Sequence, residues 1–179
     1  MVIRMAVDVI MERVPVASHW VSEKWQPAAV IPVGEPIVGG GDITPGSPYL
    51  VQDVPDRTRW CFPRCSIDLH PSESEGYFLN MTSPQTGVFV MWRKFDDGDG
   101  PPARPVVVTA SYDEAARMMD GGEQVDLVPM PQRVHAWVQA FVFEHYSPEP
   151  KKKLRRRDPL AAEGDAPSGD GRLRRSRDG

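Results

Sequence analysis

The chain has 179 residues, 40% hydrophobic and 26% charged, which is typical of one globular domain with an appendage. Its 19 prolines and 15 glycines argue against a helical bundle, and its two cysteines, Cys61 and Cys65, exclude a disulfide framework and indicate a reducing compartment. Residues 1–150 carry 11 Lys/Arg against 20 Asp/Glu (net −9), whereas residues 151–179 carry 10 against 5 (net +5), so the acidic body disfavours nucleic acid.

The N-terminal residues are apolar, but Asp8 and Glu12 interrupt them, which argues against a signal peptide. No stretch is long and apolar enough to predict a membrane span. We therefore expect a soluble, cytoplasmic protein that makes no membrane contact.

Strands dominate the first two thirds of the chain. Residues 3–12 alternate, with Ile3, Met5, Val7, Val9 and Met11 on one side, which predicts a half-buried strand. Residues 28–33 form an apolar run with Pro27 before it and Pro32 near its end, which predicts a short strand near a sheet edge. Residues 34–56 predict a long loop, and residues 57–70 predict a hairpin that turns at Pro63 and Arg64. Further strands are predicted at residues 76–81, 88–92 and 105–110.

Two helices follow. Ser111 and Glu114 form a capping box, and Gly121 supplies the stop of the first helix. Pro131 starts the second helix, and Pro148 ends it. Its apolar stripe consists of Val134, Trp137, Val138, Phe141, Val142 and His145.

These elements predict an α+β fold: one domain over residues 1–147, with an antiparallel sheet of six to seven strands, curled or sandwich-like, closed by two C-terminal helices. Residues 148–179 show no apolar periodicity and predict a disordered basic tail.

Candidate sites for chemistry are few. Cys61 and Cys65 flank the predicted turn, but a metal site needs further ligands at matching spacing, so we interpret both as small half-buried apolar residues. Asp68 and His70 are expected on one face of their strand and Cys65 on the other. The glycines at residues 39–41 lack the lysine of a phosphate-binding loop. We therefore expect no catalytic residue, no metal and no cofactor.

Two features favour binding instead. Ala136, Ala140 and Phe143 project from the second helix on the side opposite its apolar stripe, which predicts a contact site for a partner or for a second copy of the chain. The tail also offers a basic contact segment, made of Lys151, Lys152, Lys153, Arg155, Arg156 and Arg157. No aromatic residue interrupts this segment, so nucleic-acid binding is not expected.

Several strings resemble an uncharacterised proteobacterial family whose members are typically encoded beside molybdenum-dependent formate dehydrogenases. They are Val7-Asp8-Val9-Ile10-Met11-Glu12-Arg13, Trp25-Gln26-Pro27, Val128-Pro129-Met130-Pro131, Trp137-Val138, Phe141-Val142, His145 and Pro148-Glu149-Pro150. Members are sometimes labelled molybdopterin-guanine dinucleotide biosynthesis proteins. The first strand here runs into Val14-Pro15-Val16 instead of a glycine-rich nucleotide loop, which argues against a guanylyltransferase.

The resemblance implies a context beside such a dehydrogenase and a compartment. Together with the lack of catalytic motifs and the two binding features, it leads us to expect a non-catalytic accessory or assembly factor for that dehydrogenase, with the enzyme or its maturation factors as protein partners. An enzyme or carrier that acts on the molybdopterin cofactor is the alternative, and a nucleic-acid-binding regulator that uses the tail is the third possibility.

Overall fold

The computed structural model describes residues 1–39 and 41–148. Met1–Ser147 cluster into one compact unit. The predicted tail from residue 149 onwards lies outside the described residues. In chain order the elements are β1 (Ile3–Pro15), β2 (Glu23–Val38), β3 (Tyr49–Val54), β4 (Arg57–Leu69), a 3-10 turn (Pro71–Glu73), α1 (Ser74–Thr82), β5 (Gly87–Lys94), β6 (Ala103–Thr109), α2 (Tyr112–Asp120), β7 (Gln124–Pro129) and α3 (Gln132–His145).

The seven strands form one mixed sheet in the order β2-β1-β4-β6-β5-β7, with β3 beside β4. This confirms the predicted α+β class and strand number, but a purely antiparallel sheet is wrong. β4 and β6 are parallel and meet at one bridge, Ile67–Val108. After β4 the chain passes through α1 and returns in the opposite direction along β5. It then reverses again into β6, which therefore runs in the same direction as β4.

The sheet is curled, which confirms that part of the prediction. Its two end strands, β2 and β7, lie close to each other. Met5, Val7, Val9 and Met11 of β1 are buried on the inner face, as their alternation predicts. α1 and α3 cover that face, and their buried residues Tyr77, Val134, Val138 and Phe141 belong to the same core as the strands.

The prediction of only two helices is also wrong, since residues 76–81 fold as α1 and not as a strand. Tyr77 and Asn80 lie three residues apart and are both buried, which is the spacing of a helix face. Asn80 Nδ2 donates to the carbonyl oxygens of Gly87 and Ala110, both at 2.8 Å, and its Oδ1 accepts from Gly87 N at 3.2 Å. These tertiary hydrogen bonds fix α1 against the ends of β5 and β6. The two predicted helices, α2 and α3, are present where expected.

The predicted hairpin over residues 57–70 is one continuous strand, β4. Pro63 and Arg64 form a bulge opposite Asp8 instead of a turn, because the register with β1 shifts there. Arg64 has φ 59°, and Asp8 Oδ1 accepts a hydrogen bond from its backbone N at 2.9 Å. The carboxylate of β1 thus stabilises the left-handed residue of the bulge.

The predicted loop over residues 34–56 is only partly loop, since nearly half of it is strand. β2 continues to Val38 at the sheet edge, and β3 occupies Tyr49–Val54. The connection between them contains Gly39, with φ 86°, and leads into a strand and not into a helix.

Candidate functional site

The outer face of α3, by which we mean Ala136, Gln139, Ala140, Phe143 and Glu144, forms a shallow surface depression. Phe143 is 92% exposed, and the two alanines are exposed beside it. The structure thus brings together the three residues that the sequence assigns to this contact site. The basic segment at residues 151–157 lies outside the described residues.

The opposite side of α3 anchors the helix firmly. Val134, Val138 and Phe141 are buried, and the Phe141 ring makes an edge contact with Tyr77, with 5.8 Å between ring centroids. At the N-terminal end, the Arg133 guanidinium pairs with Glu35 of β2 at 2.6 Å. Phe143 is therefore displayed on a helix that is fixed at both its apolar face and its first turn.

Cys61 and Cys65 lie on the same strand, β4, and not on opposite sides of a turn. Cys61 is buried, and Cys65 is partly buried against the core. Burial raises the pKa of the Cys65 thiol to about 11, and burial likewise raises the pKa of Cys61. Both side chains thus remain neutral thiols near pH 7.

A second feature, which the sequence does not reveal, is a cleft of about 430 Å³ between β4 and β6, here called the β4–β6 cleft. Its polar lining comprises Ser66, Asp68 and His70 at the end of β4 and Glu114 of α2. Cys65 also borders the cleft, but it packs against the core on the same face of β4 as Ile67, whereas Asp68 contacts Arg4 on the other face. The expectation that Cys65 faces away from Asp68 is therefore confirmed. Sequence spacing places Asp68 and His70 together, but no local signal joins them to Glu114.

Two hydrogen-bond networks organise the cleft. Asp68 Oδ2 accepts from Arg4 Nε at 2.9 Å, whereas its Oδ1 is buried and accepts no hydrogen bond within the described residues. Glu114 Oε2 accepts from Thr109 Oγ1 at 2.5 Å, and Glu114 N donates to Ser111 Oγ at 3.1 Å. The second bond confirms Ser111 as the N-cap of α2.

Tyr77 of the core is hydrogen-bonded to the backbone at the end of β4. Its hydroxyl accepts from His70 N at 3.0 Å and lies 3.4 Å from the Asp68 carbonyl oxygen, to which it donates. Burial raises the pKa of Tyr77 to about 12, so it remains a neutral hydrogen-bonding phenol. Its position fixes the backbone that carries Asp68 and His70.

Among residues 1–39 and 41–148, no three His, Cys, Asp or Glu side chains are grouped as metal ligands would be. None of the helices within the same ranges is long and apolar enough to cross a membrane.

The sequence was compared with family profiles, with curated proteins and with solved structures, and one family profile matches it. Neither the curated proteins nor the solved structures contain a significant match to the chain. The profile of one family matches residues 6–156, which is most of the sequence. The chain belongs to this family, described as protein of unknown function DUF3305.

Proposed function

We propose that the protein is a non-catalytic accessory or assembly factor that binds another protein through the outer face of α3. The observation that carries this proposal is Phe143, an aromatic side chain 92% exposed on an anchored helix. Covering a large exposed aromatic side chain with a partner surface stabilises the complex. Aromatic residues are also enriched among those that dominate interface energetics. Ala136 and Ala140 beside it let a second surface approach closely.

The resemblance supplies the partner in this proposal, a molybdenum-dependent formate dehydrogenase or one of its maturation factors, within the cytoplasm. The same face also suits a second copy of the chain, so self-association is tested alongside.

The test uses Phe143→Glu, with Trp20→Glu as its matched control. Trp20 is 94% exposed on the loop between β1 and β2, so both variants place a charge on an equally exposed aromatic position. We expect each variant to keep its melting temperature within about 1 °C, because exposed sites tolerate charge.

Binding to the formate dehydrogenase of the source organism would be measured by calorimetry, and the mass of the free protein by light scattering. Phe143→Glu should weaken binding at least about tenfold, which corresponds to roughly 1.4 kcal/mol, while Trp20→Glu binds like the wild type. Equal binding by both variants would refute the α3 contact. A wild-type dimer that Phe143→Glu dissociates would assign the face to self-association and refute the dehydrogenase as its occupant.

The second candidate function, an enzyme or carrier for the molybdopterin cofactor, is favoured by the polar groups that converge in the β4–β6 cleft. The negative charge of the cleft argues against this function, because Asp68 and Glu114 repel the phosphate that the cofactor carries. Pterin fluorescence and molybdenum analysis of the purified protein distinguish the two functions. The nucleic-acid-binding regulator stays the weakest proposal, since the body is acidic.

A further inference from the structure

The sheet contains a notch along one side of β4. β3 pairs with β4 only as far as Cys61, and β6 meets β4 only at Ile67. Over residues 62–66, no described strand pairs with β4 on that side. The connecting segment before β3 closes one end of the notch, where Gly46 N donates to the Pro63 carbonyl oxygen at 3.0 Å.

The β4–β6 cleft occupies this notch. Because β4 and β6 are parallel and share one bridge, they separate towards their N-terminal ends, and residues 105–107 of β6 lie across the cleft from residues 62–66 of β4. Apolar side chains of both strands line it, including Phe62, Pro63 and the half-exposed Val106. The notch therefore presents strand backbone and an apolar surface together, which are the two features that bind an extended peptide.

The charges at the notch select among peptides. Asp68 and Glu114 contribute two carboxylates to the lining, and Arg4 is the one cation that pairs with either of them among the described residues. Arg4 uses only Oδ2 of Asp68, and Oδ1 is left without a donor. The unpartnered Oδ1 can still accept a hydrogen bond, and Glu114 adds a second negative charge, so this lining favours a basic side chain and repels an acidic one.

We propose that the notch binds an extended segment of a partner protein, whose basic side chain lies against Asp68 and Glu114. This site is separate from the outer face of α3, and the inference does not rest on the proposed function.

The probe is the pentapeptide acetyl-Val-Thr-Arg-Val-Thr-amide, compared with the same peptide in which citrulline replaces arginine. Citrulline keeps the shape and removes the charge. Amide chemical shifts of the full-length protein would be followed during titration. We expect the arginine peptide to shift the amides of Phe62 and of residues 64–68 and 106–108, and to bind at least about tenfold more tightly than the citrulline peptide.

Equal affinity for the two peptides would overturn the role of the basic side chain. Shifts confined to other residues, or no binding at millimolar peptide, would overturn the site itself. Arginine amide serves as a third ligand, and binding as tight as that of the pentapeptide would show that the notch takes a small cation and would overturn the extended segment.

Substitutions of Asp68 and Glu114 test whether their carboxylates cause the preference for the arginine peptide. Glu114→Gln keeps an oxygen that can accept from Thr109, so its fold is expected to persist, and it should weaken the arginine peptide at least about fivefold while leaving the citrulline peptide unchanged. Asp68→Asn should act in the same way. Phe143→Glu should bind both peptides like the wild type, because Phe143 lies outside the notch. Loss of peptide binding in the carboxylate variants therefore tests the notch alone, and loss of partner binding in Phe143→Glu tests the outer face of α3 alone. Unchanged arginine-peptide affinity in both carboxylate variants would refute the proposal.

Discussion

Glu12 joins three strands of the sheet through its carboxylate. Its side chain is mostly buried on β1, where Oε1 accepts from Gln26 Nε2 of β2 at 2.9 Å and Oε2 accepts from Arg59 Nε of β4 at 3.1 Å. Arg57 lies 3.8 Å from the same oxygen. Burial alone would raise the pKa of Glu12, but the hydrogen bonds from Gln26 and Arg59 and the two positive charges outweigh it. The pKa is lowered from the ordinary 4.5.

A lowered pKa in the folded state means that the ionised carboxylate stabilises the fold above the ordinary pKa, and that this contribution is lost as the pH falls through the folded-state pKa. We expect Glu12→Gln to lower the free energy of unfolding by about 1–2 kcal/mol at neutral pH. The difference from the wild type should shrink from about pH 4.5 downwards. Urea unfolding at a series of pH values measures it, and Glu75→Gln, at an exposed position of α1, is the control. A difference that grows at low pH would contradict this role.

The contrast between Glu12 and Asn80 shows which polar residues can be recognised from the sequence. Glu12 stands on the polar side of an alternating strand, so its face is predictable, although its partners on β2 and β4 are not. Asn80 is buried because its side chain satisfies the backbone of Gly87 and Ala110, and the second of these is 30 residues away. No local pattern encodes such long-range hydrogen bonds.

At the scale of elements, α1 and α2 cross at Gly76. A Cβ at this position would overlap Ser111 Oγ and lie 3.3 Å from Asp113 N. Ser111 Oγ has little freedom to move, because it accepts from Glu114 N at 3.1 Å and donates to Glu73 Oε2 at 3.0 Å. The glycine is therefore required by the close approach of the two helices.

We expect Gly76→Ala to destabilise the protein by about 1–3 kcal/mol, as overpacking does. Helix propensity alone predicts the opposite sign, a gain of about 1 kcal/mol. Urea unfolding of Gly76→Ala beside Glu75→Ala, which adds no atom to the crossing, separates the two effects. A more stable Gly76→Ala variant would show that the crossing can widen without cost.

Elements with a strong local signal are predictable here, and those that depend on distant contacts are not. The alternation of β1 and the Ser111 cap of α2 are confirmed. The sequence does not predict α1, because the alternation of Tyr77 and Leu79 also fits a strand. The tertiary contacts of Tyr77 and Asn80 are what favour a helix there. In α3 the buried stripe is Val134, Val138 and Phe141, whereas Trp137 is only partly buried.

At the scale of the whole molecule, the topology depends on one distant pairing. The bridge Ile67–Val108 makes the sheet mixed and creates the notch, and its two residues lie 41 positions apart. Composition and periodicity predict an α+β domain with a curled or sandwich-like sheet of six to seven strands, but they cannot predict which strands become neighbours. The β4–β6 cleft could therefore not be expected, whereas Ala136, Ala140 and Phe143 could, because they share one face of one helix.

The hydrophobic core of the described residues lies entirely between Met5 and Phe141, and the strands and helices that the structure describes all end by His145. Removing residues 149–179 takes away no part of this core. We therefore expect the chain truncated after Pro148 to unfold in one cooperative transition, with a melting temperature within about 1 °C of the full-length protein. Phe141→Ala is the positive control, because loss of a buried phenylalanine costs about 3–5 kcal/mol. For a domain of this size, 1 kcal/mol lowers the melting temperature by about 2–4 °C, so that variant should melt several degrees lower. A comparable drop in the truncated chain would show instead that residues 149–179 stabilise the domain.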